Sequence, residues 1–351
     1  MSSVKWLAIM LLGMIAAACV TWLSMRPAME AANKQTNGTQ HTEAIVQNNS
    51  LPCDDVSITR DNSPSLTKPF LFADVQCESD ALQSLKAELT EIIDARKKEG
   101  IISRASVYYK ELNTLHWTSA YGDEMYYPGS MLKIPLLLTI LKQAQRDRAL
   151  LESKIQFNTP TKLGVMVPVQ NPLVVGNFYT VQQLLEQMIQ QSDNDATSLL
   201  FSIYDRRLYD DLFMKLSIPL QDPEDVYYQL SGSDIAKFLR VLYNASYLSS
   251  LYSEYALDLL TKSSFKQGVL QGMPAGTKVA HKFGERFTTS DLVQLHETAI
   301  VYRGSAAFVV TIMTEGKNMN NLSEVIGTLS KVCFNEKTAE SKKADSAVHK
   351  V

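Results

Sequence analysis

Three short segments in fixed order constrain this chain more than anything else in it. Ser130-Met131-Leu132-Lys133 opens an apolar run from Ile134 to Leu141, Ser192-Asp193-Asn194 follows, and Lys282-Phe283-Gly284 comes later on a strand-like stretch. For the three to act together, distant parts of the chain must meet around one pocket. That pocket would hold a serine hydroxyl, an adjacent amine, a second hydroxyl and a second amine.

Taken singly, the first segment says little. The S-x-x-K spacing also occurs at Ser2/Lys5, Ser65/Lys68 and Ser263/Lys266, and its ordinary meaning is a capping serine and a solvated lysine. Only Ser130/Lys133 leads into a long apolar run, where positions three apart share one helix face. A serine near a helix N-terminus also lies close to free backbone N–H groups and the positive end of the dipole. Pro135 falls in the first turns, where a missing N–H costs least. A serine hydroxyl becomes a nucleophile when a base takes its proton. Lys133, desolvated beside a second cation, is expected to have its pKa lowered enough to serve. Ser192 is placed to relay a proton to a leaving nitrogen, Asn194 to hold a substrate amide, and Lys282 to bind a substrate carboxylate and depress the pKa of Lys133.

In this order the motifs resemble those of the class A β-lactamases and their penicillin-recognising relatives. The resemblance runs from about Glu78 to Phe334 and includes the approach Val181-Gln182-Gln183-Leu184-Leu185 and the strand Leu295 to Tyr302. It implies Ser130 as nucleophile, Lys133 as base or relay, Ser192 as proton shuttle, Asn194 as amide-binding group and Lys282 as carboxylate anchor. The oxyanion hole would be the backbone N–H groups of Ser130 and Glu285, with Gly284 completing the third motif. No cofactor or metal is implied.

Two departures from the pattern matter. Phe283 stands where a hydroxyl normally contacts the substrate carboxylate, which should weaken carboxylate recognition or change the ligand; His281 is either a substitute donor or a structural residue. Class A enzymes also deacylate with a glutamate in an Ω-loop, written E-x-x-L-N, and no such string occurs. The nearest, Glu254-x-x-Leu257-Asp258, falls in a later helical stretch, and the segment between Lys215 and Ser233 offers Asp222, Glu224 and Asp225. Without that base, water attack on an acyl-enzyme should be slow.

The rest of the chain is read from periodicity. Leu82, Leu85, Leu89, Ile92 and Ile93 mark one face of a helix over Glu78 to Lys98. Ile101 to Tyr109 and Leu115 to Tyr121 read as strands, as do Thr277 to Phe283, Leu295 to Tyr302 and Ala306 to Thr314. Thr180 is a cap for a helical stretch reaching Tyr204 that Ser192-Asp193-Asn194 interrupts, and Ser233 is read as the cap of a helix through Leu242. Further helices are expected at Glu254 to Lys262 and Asn321 to Phe334. The predicted fold is a two-lobed α/β architecture of the β-lactamase/transpeptidase type: a five-stranded antiparallel sheet flanked by helices, plus an all-helical lobe, with a cleft between the lobes as the ligand site.

Trp6 to Met25 are 20 uncharged, mostly apolar positions. As a helix they would span about 30 Å, the thickness of a bilayer's hydrocarbon core. Residues 1–26 are therefore a membrane anchor or a cleaved signal segment, with Cys19 a lipidation candidate. Every alternative exports the rest. Residues 27–77, rich in Asn, Gln, Thr, Ser and Asp, read as a flexible stalk, 78–336 as the hydrolase domain, and 337–351 as a loose charged tail. An oxidising compartment permits a Cys53–Cys77 bridge, though both thiols can equally be free. Cys333 is read as a buried thiol.

A net charge of -3, without clustered Lys and Arg, gives no footprint for nucleic acid. Five scattered histidines, with no H-x-x-x-H or C-x-x-C spacing, argue against a zinc site. The chain thus reads as a membrane-tethered serine hydrolase outside the cytoplasm, or a secreted one if the N-terminal segment is cleaved. It would be acylated at Ser130 by β-lactams or acyl-D-alanine-like amides of peptidoglycan stem peptides. The alternatives are a peptidoglycan D,D-peptidase or amidase, and a cell-wall or β-lactam sensor that does not turn over.

Overall fold

Alternating and helical apolar spacings organise the part of the chain that the computed structural model describes: residues 55–61, 66–161, 167–220, 228–288 and 291–336. The N-terminal half contains strands β1 (Val56–Arg60) and β2 (Phe70–Val75), helix α1 (Gln83–Lys98), strands β3 (Arg104–Glu111) and β4 (Trp117–Ala120), and helix α2 (Lys133–Arg146). Short strands β5 (Lys154–Gln156) and β6 (Phe178–Thr180) precede a helical run of α3 (Val181–Gln190), α4 (Asn194–Phe201), α5 (Arg206–Lys215), α6 (Gly232–Tyr243) and α7 (Ser250–Thr261). Strands β7 (Val279–Phe287), β8 (Val293–Arg303) and β9 (Ala306–Gly316) lead into the last helix, α8 (Met319–Asn335).

The main sheet is antiparallel throughout, in the order β4-β3-β9-β8-β7. Successive side chains of a strand face opposite sides, and the two sides carry two cores. Leu295, Ala299 and Val301 of β8 join Leu85, Leu89 and Ile93 of α1 and Ile326 and Leu329 of α8. Ile300 faces the other way, into a larger core built by α2, α3, α5, α6 and α7. The predicted two-lobed architecture is the one observed. β7 is an edge strand, and the turn that leads into α2 packs against it.

The segment from Val56 to Val75 departs from the expected flexible stalk, because β1 and β2 form an antiparallel hairpin. Leu71 and Phe72 are buried in the helical-lobe core. Asp74 accepts from Arg240 at 2.8 and 3.2 Å and pairs with Lys110 at 3.0 Å. Ser246 Oγ donates to the Leu71 carbonyl at 2.7 Å, and the Arg240 guanidinium lies 4.4 Å over the Phe72 ring. Polar composition concealed the hairpin because β1 is almost wholly exposed. The apolar pair on β2, hydrogen bonds such as those from Ser246 to Leu71 and from Trp117 Nε1 to the Val75 carbonyl at 2.9 Å, and one charge network tie it down.

Two local readings also shift. The cap of α6 is Ser231, not Ser233: Ser231 Oγ accepts from the Asp234 N–H at 3.2 Å, closing a capping box, while Ser233 lies inside the helix. Helix α5, not anticipated from the sequence, buries Leu208, Tyr209, Leu212 and Phe213 along one face behind an Asp205 cap. Thr180 caps α3 with a full capping box, as its position predicts.

Cys77 is disulfide-bonded and Cys333 is a free, buried thiol. Cys53, the expected partner of Cys77, lies outside the described residues, as do Cys19, the apolar segment Trp6 to Met25 and the charged tail. Among the described residues no helix is long and apolar enough to cross a membrane.

Candidate active site

Ser130 sits in a single 3-10 turn, Gly129–Leu132, immediately before α2, rather than in the first turn of the α-helix itself. The approach to that turn is fixed at two places. Tyr126 and Leu230 exchange backbone hydrogen bonds at 3.1 and 2.9 Å. The Tyr127 N–H donates to Gln294 Oε1 at 3.2 Å. His296 Nε2 lies 3.2 Å from that same oxygen, and the buried imidazole has its pKa lowered to about 3, so it stays neutral. Nothing in a strand's alternation marks Gln294 and His296 as supports for a distant turn.

Two glycines let the turn touch β7. Gly129 has φ +53, and a Cβ there would lie 2.8 Å from the Glu285 carbonyl oxygen. A Cβ on Gly284 would lie 2.4 Å from the Pro128 carbonyl oxygen and 3.2 Å from the Met131 nitrogen. Both obstacles are backbone. Gly284→Ala is therefore expected to displace the turn carrying Ser130 and lower any Ser130 reactivity on the order of 10²-fold, the effect of a displacement of about 1 Å at a reacting group. Acylation rates and thermal melts of the two proteins check this: reactivity falls while a cooperative melt persists.

Lys133 is the first residue of α2 and is buried. Its amine donates to the Ser192 carbonyl, to Ser192 Oγ at 3.2 Å and to Asn194 Oδ1 at 2.8 Å. From β7, Lys282 donates to Ser192 Oγ at 2.8 Å and to the Phe283 carbonyl at 3.1 Å. The Ser192 hydroxyl is thus contacted by both amines, and Ser130 lies one helical turn from Lys133. Lys133, Ser192 and Lys282 are 4%, 6% and 0% exposed, whereas Ser130 is half-buried. The groups able to move protons are enclosed, and the hydroxyl that would meet a substrate is accessible.

The loop between α3 and α4 positions Ser192 and Asn194. Ser192 adopts φ +56, the left-handed region that costs a non-glycine residue about 1–3 kcal/mol. This turns its carbonyl and hydroxyl toward Lys133. Asp193 caps α4 by accepting from the Asp195 and Ala196 N–H groups at 2.7 and 3.0 Å. The middle residue of the motif thereby fixes the geometry of its two neighbours.

Burial lowers the pKa of both amines. It lowers the Lys133 pKa to about 7, with the Asp193 and Glu285 charges opposing the shift. Lys282 falls well below its ordinary value, first from burial and then from the neighbouring Lys133 charge, against support from Glu285 and Glu297. With a pKa at about 7, the Lys133 amine is present partly in its neutral form at pH 7, and that form can accept a proton.

Lys282, expected as a carboxylate anchor, is wholly buried and directs its amine to Ser192 and its own strand. His281 is structural: it is buried on the terminal-helix side of β7, with Nδ1 2.5 Å from Glu297 Oε1. Phe283 is buried too, stacked on Phe265 with centroids 4.3 Å apart, and the Lys282 amine lies 4.2 Å from its centroid. Glu254 is on α7. Asp222, Glu224 and Asp225 lie outside the described residues.

The Beta-lactamase enzyme family matches the chain over residues 84–336, and the chain belongs to that family. It is a serine hydrolase of the class A β-lactamase type. Solved structures share the fold. The acyl-enzyme complex of a PBP-A mutant with penicillin G aligns with TM-score 0.62 and 18% identity, covering 76% of this chain and 100% of that one. A beta-lactamase from Chitinophaga pinensis gives TM-score 0.63 at 17% identity, over 72% and 99% of the two chains. A class A beta-lactamase from Mycobacterium abscessus gives 0.59 at 17%, over 70% and 97%. No curated protein matches the chain.

Proposed function

We propose that the protein is acylated at Ser130 by β-lactams or by acyl-D-alanine-like amides, and that the acyl-enzyme deacylates slowly. The observation that carries this reading is the Ser192 hydroxyl held between two buried amines, one of which, Lys133, lies one turn from Ser130. In the proposed reaction the neutral Lys133 amine takes the Ser130 proton as Oγ bonds to the substrate carbonyl carbon. The backbone N–H groups of Ser130 and Glu285 stabilise the oxyanion. Ser192 then passes its proton to the departing nitrogen and takes the one that Lys133 gained, the C–N bond breaks, and an ester on Ser130 and a neutral Lys133 amine remain. Asn194 holds the substrate's amide through its side chain.

Slow deacylation follows from the missing E-x-x-L-N glutamate, since general-base assistance is typically worth 10²–10⁴-fold. A D,D-peptidase or amidase substrate with a different leaving group is the nearest enzymatic variant. The same missing glutamate favours a sensor in which the long-lived adduct is itself the signal. The domain works outside the cytoplasm, tethered to the membrane by residues 6–25 or secreted if that segment is cleaved. Its partners are a β-lactam or a stem peptide.

Intact mass spectrometry of the soluble domain, followed through time with penicillin G and with its methyl ester, separates these outcomes. One acyl group per chain, persisting after excess compound is removed, is expected. Rapid hydrolysis with no trapped adduct would show an efficient β-lactamase instead.

A further inference from the structure

The main sheet has two edges, and the Ser130 turn packs on one of them, β7. At the other edge, β4, a cavity of about 460 Å³ opens where the sheet meets the β1–β2 hairpin, α1 and α6. Strands β3, β9 and β8 separate it from β7. Tyr108 of β3 and Trp117 of β4 line this cavity, with ring centroids 6.0 Å apart. The indole is held in place by Nε1, which donates to the Val75 carbonyl at 2.9 Å, and Trp117 is only half-buried. Tyr108 is 7% exposed, and its hydroxyl makes no hydrogen bond with the described residues. A hydroxyl so enclosed is costly to leave without a partner.

Charges of both signs surround the two rings, and the cations are already matched. Lys86 donates to both oxygens of Glu78 at 2.9 Å, Arg240 pairs with Asp74 at 2.8 Å, and Lys237 pairs with Asp234 at 3.0 Å. Glu78 also accepts from Thr118 Oγ1 at 2.7 Å and Ser119 Oγ at 3.2 Å, so its carboxylate is fixed in place.

We infer that this cavity binds a neutral saccharide, with a pyranose ring against Trp117 and its hydroxyls meeting Tyr108 and the paired charges. The volume falls in the range of small-molecule sites, about 300–1,000 Å³. An ionic ligand would have to compete with ion pairs that the walls have already formed. Carboxylates only accept hydrogen bonds, and ammonium and guanidinium groups only donate them. A sugar hydroxyl does both, so it can bridge such neighbours without bringing a charge. The apolar C–H face of a pyranose suits an indole whose polar edge is already engaged.

Titration calorimetry of the full-length protein with cellobiose and with N,N′-diacetylchitobiose, both neutral disaccharides, tests this. At least one is expected to bind at one site per chain, with a Kd on the order of 1 mM. Tyr108→Phe, which keeps the ring, should weaken that binding about fivefold, the effect of one hydrogen bond. Trp117→Ala should weaken it about tenfold or more, and thermal melts check that each variant is folded. No binding of either sugar at about 20 mM, an affinity unchanged in Tyr108→Phe, or tighter binding of inorganic phosphate or of glycylglycine than of either sugar would overturn the inference. None of these readouts depends on acylation of Ser130.

Discussion

Lys133→Ala is expected to slow acylation of Ser130 by about 10²–10⁴-fold, the range of a lost general base. The native rate should also depend on pH in a particular direction. The reactive form is the unprotonated amine, and burial places its pKa at about 7. Acylation therefore rises with pH through about 7 and levels off above it, and this rise is absent from the residual rate of Lys133→Ala. Stopped-flow acylation between pH 5.5 and 9 measures both. A native rate that is flat across pH 6 to 8, or a variant that acylates at the native rate, contradicts the assignment. The same lowered pKa links to stability: the unfolded chain holds more protons than the folded one between the folded value and the ordinary lysine value. This group accordingly makes the fold more stable as pH rises through that interval and less stable as it falls.

The second large effect lies far from the chemistry. Asp74→Ala leaves the Arg240 guanidinium and the Lys110 amine without their carboxylate, with side chains 4% and 1% exposed. Removing one partner of a buried charge group costs about 3–5 kcal/mol, because the remaining charge is uncompensated. Lys110 has its pKa lowered to about 8 by burial, against the support of Asp74. Without Asp74 that amine sheds its proton more readily, so the loss of stability should shrink as pH rises past about 8 and remain large below it. Urea unfolding at pH 7 and pH 9 measures the difference. The hairpin β1–β2 should detach first, because Asp74 joins it to Arg240 of α6 and Lys110 of β3.

How far the sequence reveals this molecule depends on what kind of signal each part leaves. Five strands with apolar alternation or continuous apolar runs, and helices with one apolar face, are legible because burial imposes a period. The triplet of motifs was legible as a site because serine, lysine and asparagine at those spacings form a plausible reaction centre, and Lys133, Ser192, Asn194 and Lys282 do meet. The hairpin was concealed because β1 contributes almost nothing to a core. Ser231 and Ser233 are both plausible caps by composition, and only the geometry of Asp234 separates them. Helix α5 follows an Asp205 cap, but its Arg and Asp residues dilute the apolar stripe of Leu208, Tyr209, Leu212 and Phe213.

Within the site, the sequence showed that Phe283 replaces a hydroxyl but not where the ring goes. It stacks on Phe265, a residue 18 positions earlier in the sequence. Nor does the motif reveal that Lys282 is enclosed beneath Ser192, since strand parity becomes meaningful only when β7 is paired with β8 and packed against the Ser130 turn. The motif points only to the backbone N–H of Glu285, whose side chain accepts from Val167, more than a hundred residues away in the chain.

Peptide mapping by tandem mass spectrometry, after exposure to penicillin G and to its methyl ester, bears most directly on the central claim. One acyl group is expected, carried by the peptide that contains Ser130 and lost in Ser130→Ala. An adduct on any other residue, or none with either compound, would contradict it.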